Sequence, residues 1–304
     1  MPADPTISLT AHAKVNLALS VGPPLPQGEP HAGMHPVASW MHAIALGDDI
    51  EITLDDHHTG DRFDITWADD TPTGKPIDWA LDDDLAVRAV RAMRARELLR
   101  DHAVRLRVRK RVPAGGGLGG GSGDAGAVLC ALAELIERAS GEPIRQAALH
   151  EIAATLGSDV TFFVDRGAPA GRPRPALVGG LGEIERRLER RSLALTLVCP
   201  PFGCPTGAVY RAYDASPGPL RIAVVERASA ARPIDLDLLF NDLQAPACLV
   251  QPGLEAVLAA LADAGVPAMV SGSGSTVLAF GRLPAPASGV LIELGCRLLP
   301  TGLV

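Results

Sequence analysis

Near the middle of this 304-residue chain stands the stretch Pro113-Ala-Gly-Gly-Gly-Leu-Gly-Gly-Gly-Ser-Gly-Asp-Ala125. Six glycines lie from Gly115 to Gly121, and glycine accepts positive φ and holds no side chain between backbone and ligand. Residues 103–112 alternate apolar and basic side chains as a half-buried strand does, and residues 124–138 have a helical pattern. A strand, a glycine turn and a helix N-terminus direct bare N–H groups and the positive end of a helix dipole at one point, which favours phosphate binding.

Three interpretations of this glycine loop, residues 113–123, compete. A turn without a ligand is disfavoured, because so many glycines in an ordered turn cost conformational entropy without a packing return. A dinucleotide-binding fingerprint fits Gly115, Gly117 and Gly120, but it requires another strand soon after the helix, whereas residues 146–156 have a helical pattern. The third is a nucleotide triphosphate loop other than a P-loop, since the Gly-Lys-Ser/Thr ending is absent.

Composition and charge limit the class of protein. A length of 304 residues suggests about two domains, and 47% hydrophobic with only 4% aromatic residues predicts aliphatic cores. A net charge of −7 argues against non-specific nucleic-acid binding. The N-terminus has no signal-peptide pattern, and no apolar run reaches the roughly 18 residues of a membrane helix. Five cysteines without a Cys-x-x-Cys pair fit a reduced cytoplasmic protein.

Hydrophobic periodicity predicts the elements around the loop. The predicted strands are residues 7–21, with a break near Ala11, 37–45, 49–54, 193–199, 268–270 and 277–280. The predicted helices are residues 85–99, with Asp83 or Asp84 as N-cap, 146–156, 181–191 and 252–264. Residues 22–36 are predicted to form a loop, residues 55–58 a polar turn, and residues 165–182 a connection that contains the domain boundary.

Two polar positions in apolar surroundings are candidates for chemistry. Lys14 and Asn16 share one face of the strand 7–21, because strand side chains alternate. A surface lysine on an exposed face explains Lys14 equally well. Asp159 stands at the edge of the apolar segment 160–164, where a cap or a solvated turn residue is the usual interpretation and a catalytic acid is the alternative.

Four separated blocks, in order, resemble the motifs of the GHMP small-molecule kinases. They are Ala13-Lys-Val-Asn-Leu-Ala-Leu19, the glycine loop with its Asp-Ala ending, Gly157-Ser-Asp-Val-Thr-Phe-Phe163 and Ser271-Gly-Ser-Gly-Ser275. The resemblance covers about residues 10–282. Within the superfamily, the Gly-Gly-Gly-Ser extension and Asn241-Asp-Leu243 are typical of the branch that phosphorylates a cytidine-diphosphate-linked alcohol in the non-mevalonate isoprenoid pathway.

The resemblance implies an α+β, two-domain GHMP kinase fold. An N-terminal α/β sandwich domain (residues 1–167) would carry the glycine loop, a ferredoxin-like domain (residues 168–304) would follow, and the active site would lie in the cleft between them. It also implies an ATP-dependent kinase with Mg²⁺ and a small-molecule substrate, cytoplasmic, monomeric or homodimeric, and without a nucleic-acid or membrane partner.

The resemblance further implies roles for particular residues. Asp159 would accept the proton of the substrate hydroxyl, while Lys14 would orient that hydroxyl and offset charge. The residues expected to bind ATP are Pro113, Gly115, Gly116, Gly117, Leu118, Gly119, Gly120, Gly121, Ser122 and Gly123. The residues expected to bind the substrate are Asn16, His35, Thr206, Tyr210, Ser271, Gly272, Ser273 and Gly274. Ser122 is also the expected metal ligand.

The chain departs from the branch pattern mainly at the base pocket. Met34 stands where the family usually has the tyrosine that stacks on cytosine, and a thioether contacts a ring more weakly than an aromatic side chain does. Gly123 stands where serine or alanine is common, and Thr161 replaces a usual proline. Tyr210 matches a second aromatic that faces the base.

Two other functions are also compatible with these residues. One is a GHMP kinase for homoserine, mevalonate or a sugar. The other is a non-catalytic sensor that keeps the fold and binds nucleotide, which the presence of both Lys14 and Asp159 disfavours.

Overall fold

The computed structural model of the protein describes residues 5–55, 60–71 and 77–304. In these ranges the strands are β1 (Thr6–Val21), β2 (Val37–Asp55), β3 (Arg62–Trp67), β4 (Ala103–Lys110), β5 (Ala176–Gly179), β6 (Glu183–Arg187), β7 (Ala194–Cys199), β8 (Phe240–Asn241), β9 (Ala268–Val270), β10 (Val277–Phe280) and β11 (Arg297–Gly302). The helices are α1 (Leu85–Ala95), α2 (Gly120–Ser140), α3 (Gln146–Leu156), α4 (Val160–Phe163), α5 (Thr206–Tyr213), α6 (Ile222–Ala230), α7 (Gln244–Val250), α8 (Gly253–Asp263) and α9 (Ala285–Glu293). Short 3-10 helices span Leu81–Asp83 and Leu236–Leu238.

The chain divides into two compact units that interleave in sequence. The first unit takes the described residues of Met1–Ala13, Leu46–Val112 and Gly119–Arg174. The second unit takes those of Lys14–Ala45, Pro113–Leu118 and Pro175–Val304. The predicted division into two sequence domains, residues 1–167 and 168–304, stays a prediction.

The first unit is a sheet packed against helices. β2 pairs antiparallel with β4 from Asp49 opposite Arg109 to Asp55 opposite Ala103, and β3 pairs parallel with β4. The alternation predicted for residues 103–112 turns the apolar side chains of β4 into the core. There they meet apolar residues of α1, α2 and α3, and burial of such aliphatic surface is the main term that stabilises the unit.

The second unit contains a four-stranded antiparallel sheet in the order β11-β7-β10-β9. Its core joins β7, β9 and β10 to α5 and α8 through side chains such as Val209, Leu254 and Val277. The last part of β1 pairs parallel with β8 at Ala18 opposite Phe240, and the first part of β2 pairs with β5.

Several predicted elements are confirmed. Helix α1 begins after Asp84, whose carboxylate accepts hydrogen bonds from the N–H groups of Ala86 and Val87 at 2.9 and 3.4 Å. Helix α3 has the predicted bounds, α8 ends before Gly265 as predicted, and strands β9 and β10 flank the predicted turn. Of the polar turn predicted at residues 55–58, Asp55 ends β2 and the other three residues lie outside the described ranges.

Four predictions about elements are wrong. β1 continues through Ala11 without a break, and α1 ends at Ala95 instead of Leu99. In the other two cases strand pairing outweighs local propensity. The helix predicted at residues 181–191 is strand β6, since a turn with Gly182 N–H bonded to Gly179 O at 3.0 Å closes a hairpin with β5. Residues 37–45 and 49–54 form one strand instead of two. Glycine at position 47 permits the continuous strand, because a β-carbon there would lie 2.6 Å from the carbonyl oxygen of Ala11 and clash with it.

Candidate active site

Lys14 and Asn16 are buried neighbours on β1. Lys14 Nζ donates to Asn16 Oδ1 at 2.7 Å, Asn16 Nδ2 donates to Ser39 Oγ at 2.7 Å, and Ser39 Oγ donates to the carbonyl of Ala18 at 3.0 Å. Because a carbonyl only accepts, the Ser39 hydroxyl must accept from the amide, and this leaves the amide oxygen for the ammonium. Lys14 is only 4% exposed, so its interpretation as a surface lysine is wrong.

The first half of the glycine loop packs against the turn at residues 271–275, which we call the serine turn. A β-carbon on Gly117 would lie 2.2 Å from the carbonyl oxygen of Ser271 and 3.1 Å from that of Gly274. Ser271 Oγ donates to the Gly117 carbonyl at 3.3 Å, and Thr276 N–H donates to that of Gly116 at 3.4 Å. Only glycine at position 117 allows the two backbones to approach this closely.

The same two turns lie beside the buried lysine. A β-carbon on Gly272 would be 3.7 Å from Lys14 Nζ and 3.6 Å from Asn16 Oδ1. The backbone N–H of Lys14 donates to the carbonyl of Leu118 at 2.9 Å. The second unit thus brings together three of the four sequence motifs.

Asn241 holds the serine turn in place, a role that sequence reasoning did not assign to it. Its Nδ2 donates to the carbonyl oxygens of Val270 and Gly272, both at 2.7 Å, and its Oδ1 accepts from Leu243 N–H at 2.9 Å. On the other side of the turn, the hydroxyls of Thr206 and Ser273 are 2.9 Å apart. The predicted substrate residues of this turn are therefore held rigidly from both sides.

The predicted base pocket contains a fixed histidine. His35 Nδ1 lies 2.9 Å from the carbonyl oxygen of Gly22, and its Nε2 lies 3.1 Å from Asp214 Oδ1. The ring centroid is 5.1 Å from that of Tyr210, with 44° between the planes. Met34, which replaces the family tyrosine, is 45% exposed. Contacts at both ring nitrogens thus fix the orientation of the His35 ring.

The second half of the glycine loop begins helix α2, in the first unit. The helix starts at Gly120, four residues before the predicted start at Asp124, and no side chain caps its first turn. Gly115, Gly117 and Gly119 have φ of 69°, 72° and 67°, a left-handed conformation that glycine adopts without strain. An uncapped N-terminus on a 21-residue helix leaves backbone N–H groups for an anion, which fits the phosphates of a nucleotide.

Asp159 precedes the short helix α4, which packs on the start of α2. A β-carbon on Gly126 would lie 2.3 Å from Cβ of Phe163, and one on Gly123 would lie 3.4 Å from the Phe163 ring. Glycine in α2 therefore allows α4 to approach closely. Asp159 itself is half-buried and lies four residues before Phe163.

Sequence reasoning missed a buried cluster of charges at the base of the glycine loop. Lys110 Nζ is 2.5 Å from Asp48 Oδ2 and also contacts Asp124 Oδ2, and all three side chains are at most 4% exposed. Burial alone would lower the pKa of Lys110, but attraction to Asp124 and Asp48 outweighs it and raises that pKa. Burial raises the pKa of Asp124, against the effect of Lys110. The lysine therefore stays an ammonium between two carboxyl groups.

Protein groups alone do not form a metal centre in the described ranges. There, no group of three or more His, Cys, Asp or Glu side chains is arranged to hold a metal ion. In the same residues, no helix is long and apolar enough to cross a membrane.

Comparison with known proteins agrees with this geometry. Residues 84–167 match the family of GHMP kinases N terminal domain. The 4-diphosphocytidyl-2-C-methyl-D-erythritol kinase of Anaeromyxobacter dehalogenans is 38% identical over 285 residues, 90% of this chain and 80% of the relative. The enzyme of the same name from Kineococcus radiotolerans is 35% identical over 312 residues, 96% of this chain and 88% of the relative.

A solved structure agrees as well. The crystal structure of a 4-(cytidine 5'-diphospho)-2C-methyl-D-erythritol kinase has a TM-score of 0.70 at 27% identity, and the match covers 98% of this chain and 99% of that one. The predicted α+β GHMP kinase fold is confirmed. The chain belongs to the GHMP kinase superfamily and, within it, to the 4-diphosphocytidyl-2-C-methyl-D-erythritol kinase family.

Proposed function

We propose that this protein transfers the γ-phosphoryl group of ATP to the 2-hydroxyl of 4-diphosphocytidyl-2-C-methyl-D-erythritol, a reaction of the non-mevalonate isoprenoid precursor pathway. The observation that carries the proposal is the likeness to kinases of that name, at 38% and 35% identity over 90% and 96% of the chain. The presence of both Lys14 and Asp159 supports an enzyme over a nucleotide sensor, because a protein that only binds nucleotide needs neither a proton acceptor nor an ammonium at the acceptor hydroxyl.

The glycine loop is the proposed site for the ATP phosphates. The loop spans Pro113 to Gly123, and we propose that backbone N–H groups between Ala114 and Ser122 donate to the phosphates, while the positive end of the α2 dipole favours the added charge. Ser122 would hold Mg²⁺ from the protein side, and the ion would supply positive charge that offsets the charge of the γ-phosphoryl group. In such transfers positioning and charge neutralisation do most of the catalysis.

Lys14 and Asp159 carry the proposed chemistry at the hydroxyl. The substrate oxygen forms a bond to the γ-phosphorus while the bond from that phosphorus to the bridging oxygen of ADP breaks. Asp159 takes the hydroxyl proton, and the Lys14 ammonium orients the oxygen and offsets developing negative charge. Asn16 fixes the ammonium through its 2.7 Å hydrogen bond, and so acts as a positioning residue as well as a proposed substrate contact.

The cytidine part of the substrate is proposed to bind at Tyr210 and His35. Tyr210 provides an aromatic face, and aromatic stacking on a base is worth about 1–3 kcal/mol in nucleic-acid binders. Met34 offers at most a weaker thioether contact, about 0.3–1.5 kcal/mol. The serine turn and Thr206 are the proposed contacts for the rest of the substrate.

The test is direct phosphorylation followed by mass spectrometry. The purified protein with ATP and Mg²⁺ is offered 4-diphosphocytidyl-2-C-methyl-D-erythritol, homoserine, mevalonate and galactose in parallel, and ADP release is measured for each. A product heavier by one phosphoryl group with the first substrate alone is expected. Turnover of another acceptor in preference would support a different GHMP kinase, and ATP binding without turnover on any of them would support a sensor.

A further inference from the structure

We propose that Asp48, Lys110 and Asp124, the loop-stem cluster, hold the glycine loop closed at its base and thereby position it for phosphate. The inference rests on the proposed function in one respect, since it takes this loop to be the phosphate site. It assigns a positioning role to three residues that touch neither the loop glycines from Gly115 to Gly119 nor any reacting atom.

The two stems of the loop meet in the first unit. β4 ends at Lys110 and α2 begins at Gly120. A β-carbon on Gly120 would lie 2.9 Å from both Cβ and Cγ1 of Val112, so the chain leaves and re-enters the unit at nearly one point. The seven residues between Val112 and Gly120 therefore form a loop whose ends are in contact.

The cluster ties these stems together by hydrogen bonds. After β4 ends, the N–H groups of Arg111 and Val112 have no strand partner, and Asp48 Oδ1 accepts both, the second at 2.8 Å. Lys110 then bridges Asp48 on β2 to Asp124 on α2. One connected set of bonds thus joins the incoming stem, a neighbouring strand and the outgoing helix.

Stability alone does not account for this choice of residues. Buried ion pairs are often no more stabilising than apolar residues of the same volume, whereas they do fix one arrangement of the groups they join. Within the described part of the chain, Oδ1 of buried Asp124 has no hydrogen-bond partner, which is a further cost. Asp124 lies in the first turns of α2, at the end of the helix that is proposed to bind phosphate. A fixed arrangement of the backbone there would favour phosphate binding.

The experiment compares Asp124→Leu with Asp124→Asn. Leucine keeps about the volume but removes every acceptor, whereas asparagine keeps one carbonyl acceptor for Lys110. Binding of a non-hydrolysable ATP analogue with Mg²⁺ is measured by calorimetry, and KM for ATP, KM for the acceptor and kcat are measured on the full chain. We expect Asp124→Leu to weaken nucleotide binding at least tenfold with the acceptor KM within about twofold, and Asp124→Asn to restore most of the affinity.

A matched control acts at the other end of the same strand. Asp61 Oδ1 accepts from Val104 N–H at 2.9 Å near the start of β4, and the same carboxylate pairs with Arg94. Asp61→Leu should lower the melting temperature as Asp124→Leu does, yet leave nucleotide affinity unchanged. Equal effects of the two leucine variants on nucleotide affinity, or none from either, would overturn the proposal.

Two provisions keep the outcomes separate. If Asp124→Leu does not fold, Asp48→Asn takes its place. Its single carbonyl oxygen can accept from the Arg111 and Val112 N–H groups or from Lys110, but its amide N–H₂ group cannot replace the second carboxylate oxygen, so nucleotide affinity should fall. Unchanged nucleotide affinity in that variant overturns the proposal. The calorimetric readout needs no acceptor. A parent protein that binds the ATP analogue but does not phosphorylate the cytidine substrate would therefore refute the proposed function while leaving the loop-stem cluster under test.

Discussion

Replacing Ser39 by alanine is expected to lower kcat/KM without unfolding the protein. The Ser39 hydroxyl accepts a hydrogen bond from Asn16 Nδ2 at 2.7 Å and thereby holds the amide that contacts Lys14. Alanine removes that acceptor and leaves the buried amide N–H groups unsatisfied. The Asn16 amide can then rotate. If its Nδ2 turned toward Lys14, two hydrogen-bond donors would face each other and the bond to the ammonium would be lost.

The expected magnitude follows from this loss. Leaving a buried donor unsatisfied costs about 1–3 kcal/mol, which corresponds to roughly 5- to 150-fold in kcat/KM if the cost falls on the position of Lys14 in the transition state. Ser39→Thr retains a hydroxyl at the same place and should stay within a few-fold of the parent. Because Ser39 is not among the residues proposed to bind ATP, KM for ATP should change little.

The assay is coupled ADP release with the cytidine substrate, together with thermal unfolding of each variant. We expect kcat/KM to fall by more than the fraction of protein unfolded at the assay temperature can explain. An Ser39→Ala protein that loses stability but keeps its full kcat/KM would refute the view that the Ser39–Asn16 bond positions Lys14.

Four further outcomes are expected. Asp159→Asn should lower kcat by about 10²–10⁴, with nucleotide affinity nearly unchanged, and near-normal turnover would remove Asp159 from the mechanism. Gly119→Val should weaken ATP binding in a folded protein, because Gly119 has φ of 67°, and normal binding by calorimetry would contradict the phosphate site. Tyr210→Ala should raise KM for the cytidine substrate and Met34→Tyr should lower it, in both cases with little change in kcat. If Tyr210→Ala affects an analogue without the base equally, the base does not bind at Tyr210. Burial lowers the pKa of His42 from 6.5 to about 4, so between these pH values the unfolded chain binds a proton that the folded protein does not. The free energy of unfolding should therefore fall by about 3 kcal/mol as pH drops from 6.5 to 4. In His42→Gln the free energy of unfolding should change less over this pH range.

Local patterns in the sequence were enough for much of the site. Alternation along β1 placed Lys14 and Asn16 on one face, because side chains two apart in a strand point the same way. The run of glycines before an apolar pattern predicted a helix N-terminus behind the loop, and α2 begins there, whereas phosphate binding at this end stays a prediction. These features depend on residues close together in the chain, so short-range chemistry decides them.

The remaining features depend on partners far apart in the chain, which only the folded topology brings into contact. Ser271 and Gly117 are 154 positions apart, yet their backbones touch, and Ser39 reaches Asn16 across 23 positions. The charged residues of 183–187 have helical propensity, but pairing with β5 satisfies their backbone groups and makes them a strand. No local pattern in the sequence assigned a role to Lys110. Its burial between Asp48 and Asp124 follows from the way β2, β4 and α2 pack, because a charge in that core must be paired.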